Sequence, residues 1–280
     1  MQKFSYHTHT SFSDGINSVD EMLARASSLG WSEIGVSDHM MVHKNIKKVS
    51  FYEFLKFHKQ EKMAYDNFSE ALPAFNRHAE EIRKVAKKYP ELKVRVGYEV
   101  DFFTYNGWLD EFKDFCRNLD YDYLLTGNHF FLSEDGEYLL NISCYDSLPD
   151  NEKNESLDNY IHRHLQTLKQ AVNSKMFNFL AHIDYVRQVR GYNKDLYSDD
   201  YTQLIEALAK NNVATELSTK GLRKSGDYFP CSDLLHKVCA KNIPLVISDD
   251  AHCCSEVGYL FEKAENTLEG LNYSNRFHLK

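Results

Sequence analysis

Lys3-Phe4-Ser5-Tyr6-His7-Thr8-His9-Thr10 opens a pattern that the rest of the chain repeats. Residues 3–6 read as a short buried strand. The imidazoles that follow lie two apart, on one face if the backbone stays extended. Ser13-Asp14-Gly15 then supplies a turn that carries a carboxylate. Two imidazoles and a carboxylate at a strand end are metal-ligand chemistry, with a fortuitous histidine pair as the alternative. Downstream, residues 19–29 carry apolar side chains at helical spacing and stop at Gly30, and the next apolar, β-branched run is 33–37.

The alternation continues to the C-terminus. Strand-like runs recur at 93–99, 121–126, 177–181, 213–217 and 244–248. Helical periods fall at 75–89, 109–118, 157–174, 201–210 and 231–241. Seven strand–helix units predict an α/β fold with parallel strands, closed or nearly closed into a barrel; an open sheet gives the same alternation. No linker-like stretch divides the 280 residues, so residues 1–280 read as a single domain. Two connections are long, at about 40–76 and 130–156. The first holds an aromatic-rich helical pattern around Phe51 and Phe57. Both are expected over the mouth of the barrel, with surface decoration as the alternative.

Composition narrows the chemistry. A formal charge of -8 argues against a nucleic-acid partner, because phosphate backbones need a basic surface. No apolar run reaches the roughly 18 residues of a membrane span, and the start lacks a signal-peptide core. The expectation is a cytoplasmic protein with no membrane partner. The six cysteines form no C-x-x-C pair and read as reduced thiols. The 13 histidines say more, through their placement. Strand ends carry His7 and His9, Asp38-His39, Glu99, His129, His182, and Asp250 with His252. Any one of these has a bland account as a hydrogen-bonded histidine or a charged strand terminus. Parallel strands bring all of them to one rim, and imidazole with carboxylate and no thiolate suits zinc, iron or manganese.

The motifs His7-Thr8-His9-Thr10, Ser37-Asp38-His39, Gly97-Tyr98-Glu99, Gly127-Asn128-His129, His182-Ile183-Asp184 and Asp250-Ala251-His252, in this order, resemble the PHP superfamily (polymerase and histidinol phosphatase). The resemblance implies a distorted, TIM-like (β/α)7 barrel with three divalent metal ions, zinc first and iron or manganese as alternatives. It implies that His7, His9, Glu99 and Asp250 hold one ion. Glu99 would bridge to a second, held with His129 and His182, while Asp14, His39 and His252 would hold the third. Within the superfamily the chain resembles the histidinol-phosphate phosphatase branch, notably over Glu216-Leu217-Ser218-Thr219-Lys220-Gly221-Leu222-Arg223-Lys224 and Tyr228-Phe229-Pro230. It departs at Ser218, where Asn is common.

That resemblance implies hydrolysis of a small phosphate monoester, L-histidinol phosphate, in histidine biosynthesis. Glu99 and Asp250 would form the catalytic metal-binding carboxylates. His43, four residues past His39, is a candidate proton donor to the leaving group, or an ordinary exposed histidine. Phosphate oxygens call for cations; Arg223 comes first, with Arg190 and Arg163 behind it, and a solvated surface arginine is the alternative for each. Rival functions are a PHP phosphoesterase for another monoester or a nucleotide, and a non-catalytic metal-binding barrel. An amidohydrolase-type enzyme also opens with His-x-His, but it needs a metal-bridging lysine that the chain does not offer.

Overall fold

The computed structural model describes residues 2–150 and 153–280. Seven parallel strands form the main path of a nine-stranded sheet, paired in chain order: β1 (Phe4–Ser5), β2 (Glu33–Val36), β3 (Lys93–Val100), β4 (Tyr123–Thr126), β5 (Phe179–Leu180), β6 (Ala214–Ser218) and β7 (Leu245–Ser248). Each was expected from its apolar run, within about two residues at either end. The barrel is nearly closed. Between β7 and β1 the ladder gives way to a parallel bridge from Thr8 to Ala251 and a bond from His9 N to Ala251 O at 2.8 Å. Below it, Ser5 Oγ donates to Asp249 Oδ1 at 2.8 Å. This seam is the distortion, and it lies where the histidine and aspartate motifs meet.

Glycine shapes the interior. The Tyr123 ring lies where a Cβ on Gly35 or Gly97 would stand, 2.2 Å from it in each case. The bare backbones let that ring sit inside the barrel and donate its hydroxyl to Tyr6 O at 2.7 Å. The chain's last residues plug the bottom, with Phe277 and Leu279 packed on Tyr6, Tyr123 and Phe179.

The helices α1 (Val19–Ser28), α2 (Ser50–His58), α3 (Phe68–Ala86), α4 (Trp108–Cys116), α5 (Leu157–Ser174), α6 (Ser198–Asn211), α7 (Lys220–Ser225), α8 (Ser232–Ala240) and α9 (Phe261–Gly270) complete the fold. Helix α1 starts with a reciprocal cap: Glu21 N donates to Ser18 Oγ, and Ser18 N donates to Glu21 Oε2. Helix α3 begins seven residues before the expected 75, despite Pro73 inside it. Asn67 caps its start, and Phe68 packs on Trp108, Phe112 and Phe115, which offsets the one hydrogen bond proline removes. No helix of the described residues is long and apolar enough to cross a membrane.

The two long connections touch each other. The first leaves β2 as a short strand, His39–Val42, in which His39 pairs with Glu99. The second forms a hairpin of Phe130–Leu132 with Leu139–Asn141. Asn45 Nδ2 donates to Glu137 O at 2.7 Å, joining the two.

Candidate metal centre

Glu99 is the hub. It ends β3 with its side chain 1% exposed. Its Oε2 lies 3.1 Å from His7 Nε2, 3.4 Å from His9 Nε2 and 3.1 Å from His39 Nδ1. Its Oε1 lies 2.9 Å from His182 Nε2 and 3.7 Å from His129 Nε2. Asp250 faces it across the seam, with Oδ1 3.2 Å from His9 Nε2, 3.5 Å from His7 Nε2 and 3.4 Å from His252 Nδ1. Asp14, at the rim, places Oδ1 3.5 Å from His39 Nε2 and Oδ2 3.2 Å from His252 Nε2. All nine residues expected as ligands therefore converge.

Several of the converging atoms lack a hydrogen-bond partner. His7 Nε2, both His9 nitrogens, His39 Nδ1, Glu99 Oε2 and Asp250 Oδ1 are buried and make no hydrogen bond within the described residues. Polar atoms removed from water in this way are costly unless something satisfies them, and a cation does so for several lone pairs at once. The donor sets fit such ions. Ligand atoms of His9, Asp14, His39 and His252 lie within 4.8 Å of one another, as do those of His7, His9 and Glu99, of His39, Glu99 and His129, and of His7, His182 and Asp250. The first of these adds His9 to the expected rim trio. His182 groups with His7 and Asp250 as well as meeting Glu99.

Electrostatics follow from this crowding. Burial alone would raise the Glu99 carboxyl, but His7, His129 and His39 hold it well below the carboxylate range. Asp250 is held low in the same way by His7 and Lys220, and Asp14 by His252 and His39. Burial pushes His9 down to about 3, aided by His252 and His39, so it stands neutral with lone pairs free for a metal. Burial also works on His39, yet Asp14 and Glu99 lift it to about 9.

A layer behind the cluster aims it, and sequence reasoning missed most of that layer. Glu216 on β6 takes His7 Nδ1 at 2.8 Å, His182 N at 2.9 Å and Ser248 Oγ at 2.7 Å. A glutamate inside a strand-like run, between Thr215 and Leu217, was its signal in the sequence. Asp38 accepts from Thr10 N and Oγ1, both 2.7 Å, from Ser13 Oγ at 2.6 Å, and pairs with His78 Nε2 at 2.7 Å. It secures the loop that carries Asp14. Asp101 accepts from His129 N and stands 3.3 Å from His129 Nδ1. Three non-glycine residues here have left-handed backbones: Asn128 at φ 48°, His182 at φ 24° and Asp250 at φ 46°. Such strain persists where surrounding bonds enforce it, and it marks functional sites.

Beside the cluster opens a cavity of about 500 Å³, with Asp14, Asp146, Tyr185, Lys220, Arg223 and His252 among its walls. A larger cleft of about 870 Å³ lies elsewhere, around Tyr192, Tyr201 and Cys231, and holds none of the candidate ligands. Of the two, only the smaller has candidate ligands, Asp14 and His252, in its walls. The connection at 130–156 reaches it through Ile142, Ser143 and Asp146.

The other expected site residues fare differently. His43 is not brought to the cluster. Its Nε2 engages Gly136 O at 2.9 Å, its Nδ1 accepts from Asn45 N at 3.0 Å, and its ring packs on Phe103 and Tyr105. Both nitrogens are committed to backbone, so it is a buried strap between the long connections and has no proton to offer a leaving group. Arg163 on α5 is held by Glu155, with Nη2 2.6 Å from Oε2, and by Leu132 O, away from the cavity. The Arg190 side chain is exposed and its amide donates to Asp146. Arg223 does reach the cavity wall, but Nη2 donates to Asp249 O at 2.9 Å and Nη1 lies 3.2 Å from Glu256 Oε1. Sequence spacing cannot show most of these prior engagements, since the partners other than Asn45 and Glu155 are distant along the chain.

Known proteins resemble the chain. The family described as the PHP domain matches residues 5–220. A Deinococcus radiodurans protein named "Probable histidinol-phosphatase" is 24% identical over 187 residues, 66% of this chain and 67% of that one. Histidinol phosphate phosphatase from Lactococcus lactis subsp. lactis, solved with zinc, L-histidinol and phosphate, superposes with a TM-score of 0.70 at 17% identity. The match covers 98% of this chain and 95% of that one, and it speaks for the fold.

Proposed function

Because this chain belongs to the PHP domain family, we propose that it is a metal-dependent phosphomonoesterase that hydrolyses L-histidinol phosphate to L-histidinol and phosphate. The observation that carries the reading is the Glu99 carboxylate, buried among imidazoles and joined to a cavity with cationic and anionic walls. The names of the Deinococcus and Lactococcus proteins support the choice of substrate. The whole chain, 1–280, acts in this reading as one barrel domain, with its two long connections at the mouth. A cytoplasmic location is part of the same reading and accords with six free cysteines.

Three divalent ions, zinc first and iron or manganese as alternatives, would be held by His7, His9, Glu99 and Asp250, by Glu99, His129 and His182, and by Asp14, His39 and His252. Such ions supply positive charge against phosphoryl oxygens and make water a nucleophile near neutral pH. The chain's own residues set up that chemistry. Glu216 Oε2, 2.8 Å from His7 Nδ1, holds the ring proton there and leaves the Nε2 lone pair toward Glu99. Asp101 does the same for His129. Arg223 clamps the carbonyls of Asp249 and Asp250 and so keeps the Asp250 carboxylate aimed at His7 and His9. On the far wall, Asp146 and the hydroxyls of Ser143 and Tyr185, which lie 2.9 Å apart, suit the ammonium and ring of the alcohol.

Steady-state kinetics on L-histidinol phosphate and glycerol phosphate, with metal content measured on the same sample, test the reading. A strong preference for histidinol phosphate in kcat/KM is expected. Comparable values for the two would reject the substrate, because then no wall reads the amine and ring.

A further inference from the structure

We infer that Lys220, rather than Arg223, is the cation that grips a phosphoryl oxygen in this cavity. The inference rests on the phosphomonoesterase reading and names one of its binding groups. Lys220 is the first residue of α7, two residues beyond the end of β6, the one strand end that gives the cluster no ligand. Its Nζ lies 2.7 Å from Asp250 Oδ2, its side chain is 14% exposed, and it lines the cavity together with Asp14 and His252. An ammonium has three protons to donate, and the ion pair with Asp250 engages at most one of them.

The neighbouring cations are less suited. Arg223 donates Nη2 to Asp249 O and Asp250 O, at 2.9 and 3.4 Å, and its Nη1 stands 3.2 Å from Glu256 Oε1 as an ion pair without a hydrogen bond, while its guanidinium lies 5.5 Å from the Tyr259 ring centre. Releasing it would free the left-handed turn at Asp250. Lys224 is exposed, where water screens its charge. Lys220 combines a sheltered charge with spare donors, beside the carboxylates that gather the ions. A compact ammonium point charge is a well-used phosphate partner.

The competing role is a purely structural ion pair that neutralises Asp250. Calorimetric titration of the metal-loaded protein with inorganic phosphate separates the two, with metal content measured for each sample. Lys220→Met keeps length and loses charge; it should retain its metals and bind phosphate about tenfold to a hundredfold more weakly, the effect of one charge-assisted hydrogen bond. Lys220→Arg should recover most of that loss. A Lys220→Met protein that binds phosphate within about twofold of the wild type, or one that loses metal, overturns the inference. So does a metal-loaded wild type that binds no phosphate. Turnover of histidinol phosphate keeps the two readings apart. A wild type that binds phosphate through Lys220 but does not hydrolyse that ester overturns the substrate assignment alone. A wild type that hydrolyses it, with phosphate affinity unchanged in Lys220→Met, overturns only the role of Lys220.

Discussion

Glu99→Gln is the most informative single change. It keeps the shape of the side chain and removes its charge. The carboxylate meets His7, His9, His39, His129 and His182 at 2.9 to 3.7 Å, so any ions held there share it. A unit charge about 4 Å from another is worth about 4 kcal/mol at an effective dielectric constant of about 20. That corresponds to about a thousandfold in affinity per unit of positive charge. An amide also presents a donor to imidazole lone pairs that should face a metal. The backbone of Glu99 stays bonded to Ser37 O and Asp38 O, both at 3.2 Å, so the strand should survive. We expect the reconstituted variant to lose at least one ion per chain on elemental analysis. Turnover should fall about a thousandfold or more, while the circular dichroism spectrum stays that of the wild type. Full metal content with kcat within about twofold of the wild type would show that Glu99 bridges nothing.

Gly127→Ala would place a Cβ 2.0 Å from His182 Cε1 and 2.6 Å from Glu99 Oε1. It should strip metal and activity together at a stability cost of about 1–3 kcal/mol, and normal metal content would count against the packing described. His43→Phe should leave kcat of the metal-loaded enzyme within about threefold and lower stability to urea by about 1–3 kcal/mol, since Gly136 O and Asn45 N lose their partner. A hundredfold fall in kcat would restore His43 as a proton donor. His164 on α5 gives the pH test: burial lowers it from 6.5 to about 3, so the fold holds it neutral. With a depressed folded-state pKa, its contribution is present above pH 6.5 and is lost as pH falls toward 3. Between pH 6 and 4, urea stability of the wild type should therefore fall more steeply than that of His164→Leu, by about 1.4 kcal/mol per pH unit for one proton. Equal slopes would show that His164 titrates freely in the folded chain.

The parallel strands and the candidate ligands at their ends were legible in the sequence; closure into a barrel was one of two readings it allowed. Apolar runs of strand length between helical periods leave little choice but parallel strands under a helical coat, and parallel strands share one C-terminal rim. Residues that follow them, from His7 to His252, must then meet there wherever the intervening helices lie. Local signals of this kind survive any rearrangement of distant parts. Helix α3 shows their limit, because Phe68 packing on α4 outweighed a proline that locally argues for a later start. Only the tertiary structure decided which polar groups were left available. His43, Arg163 and Arg223 had the right chemistry at the right loops, yet folding bonds His43 to Gly136, Arg163 to Glu155 and Nη2 of Arg223 to Asp249. Glu216 and Lys220 looked unremarkable in the chain, and became the support of His7 and the partner of Asp250 through pairings with strands β1 and β7. A residue type fixes what a side chain is able to bond; which bond it makes depends on neighbours that folding brings from 8 to 209 positions away.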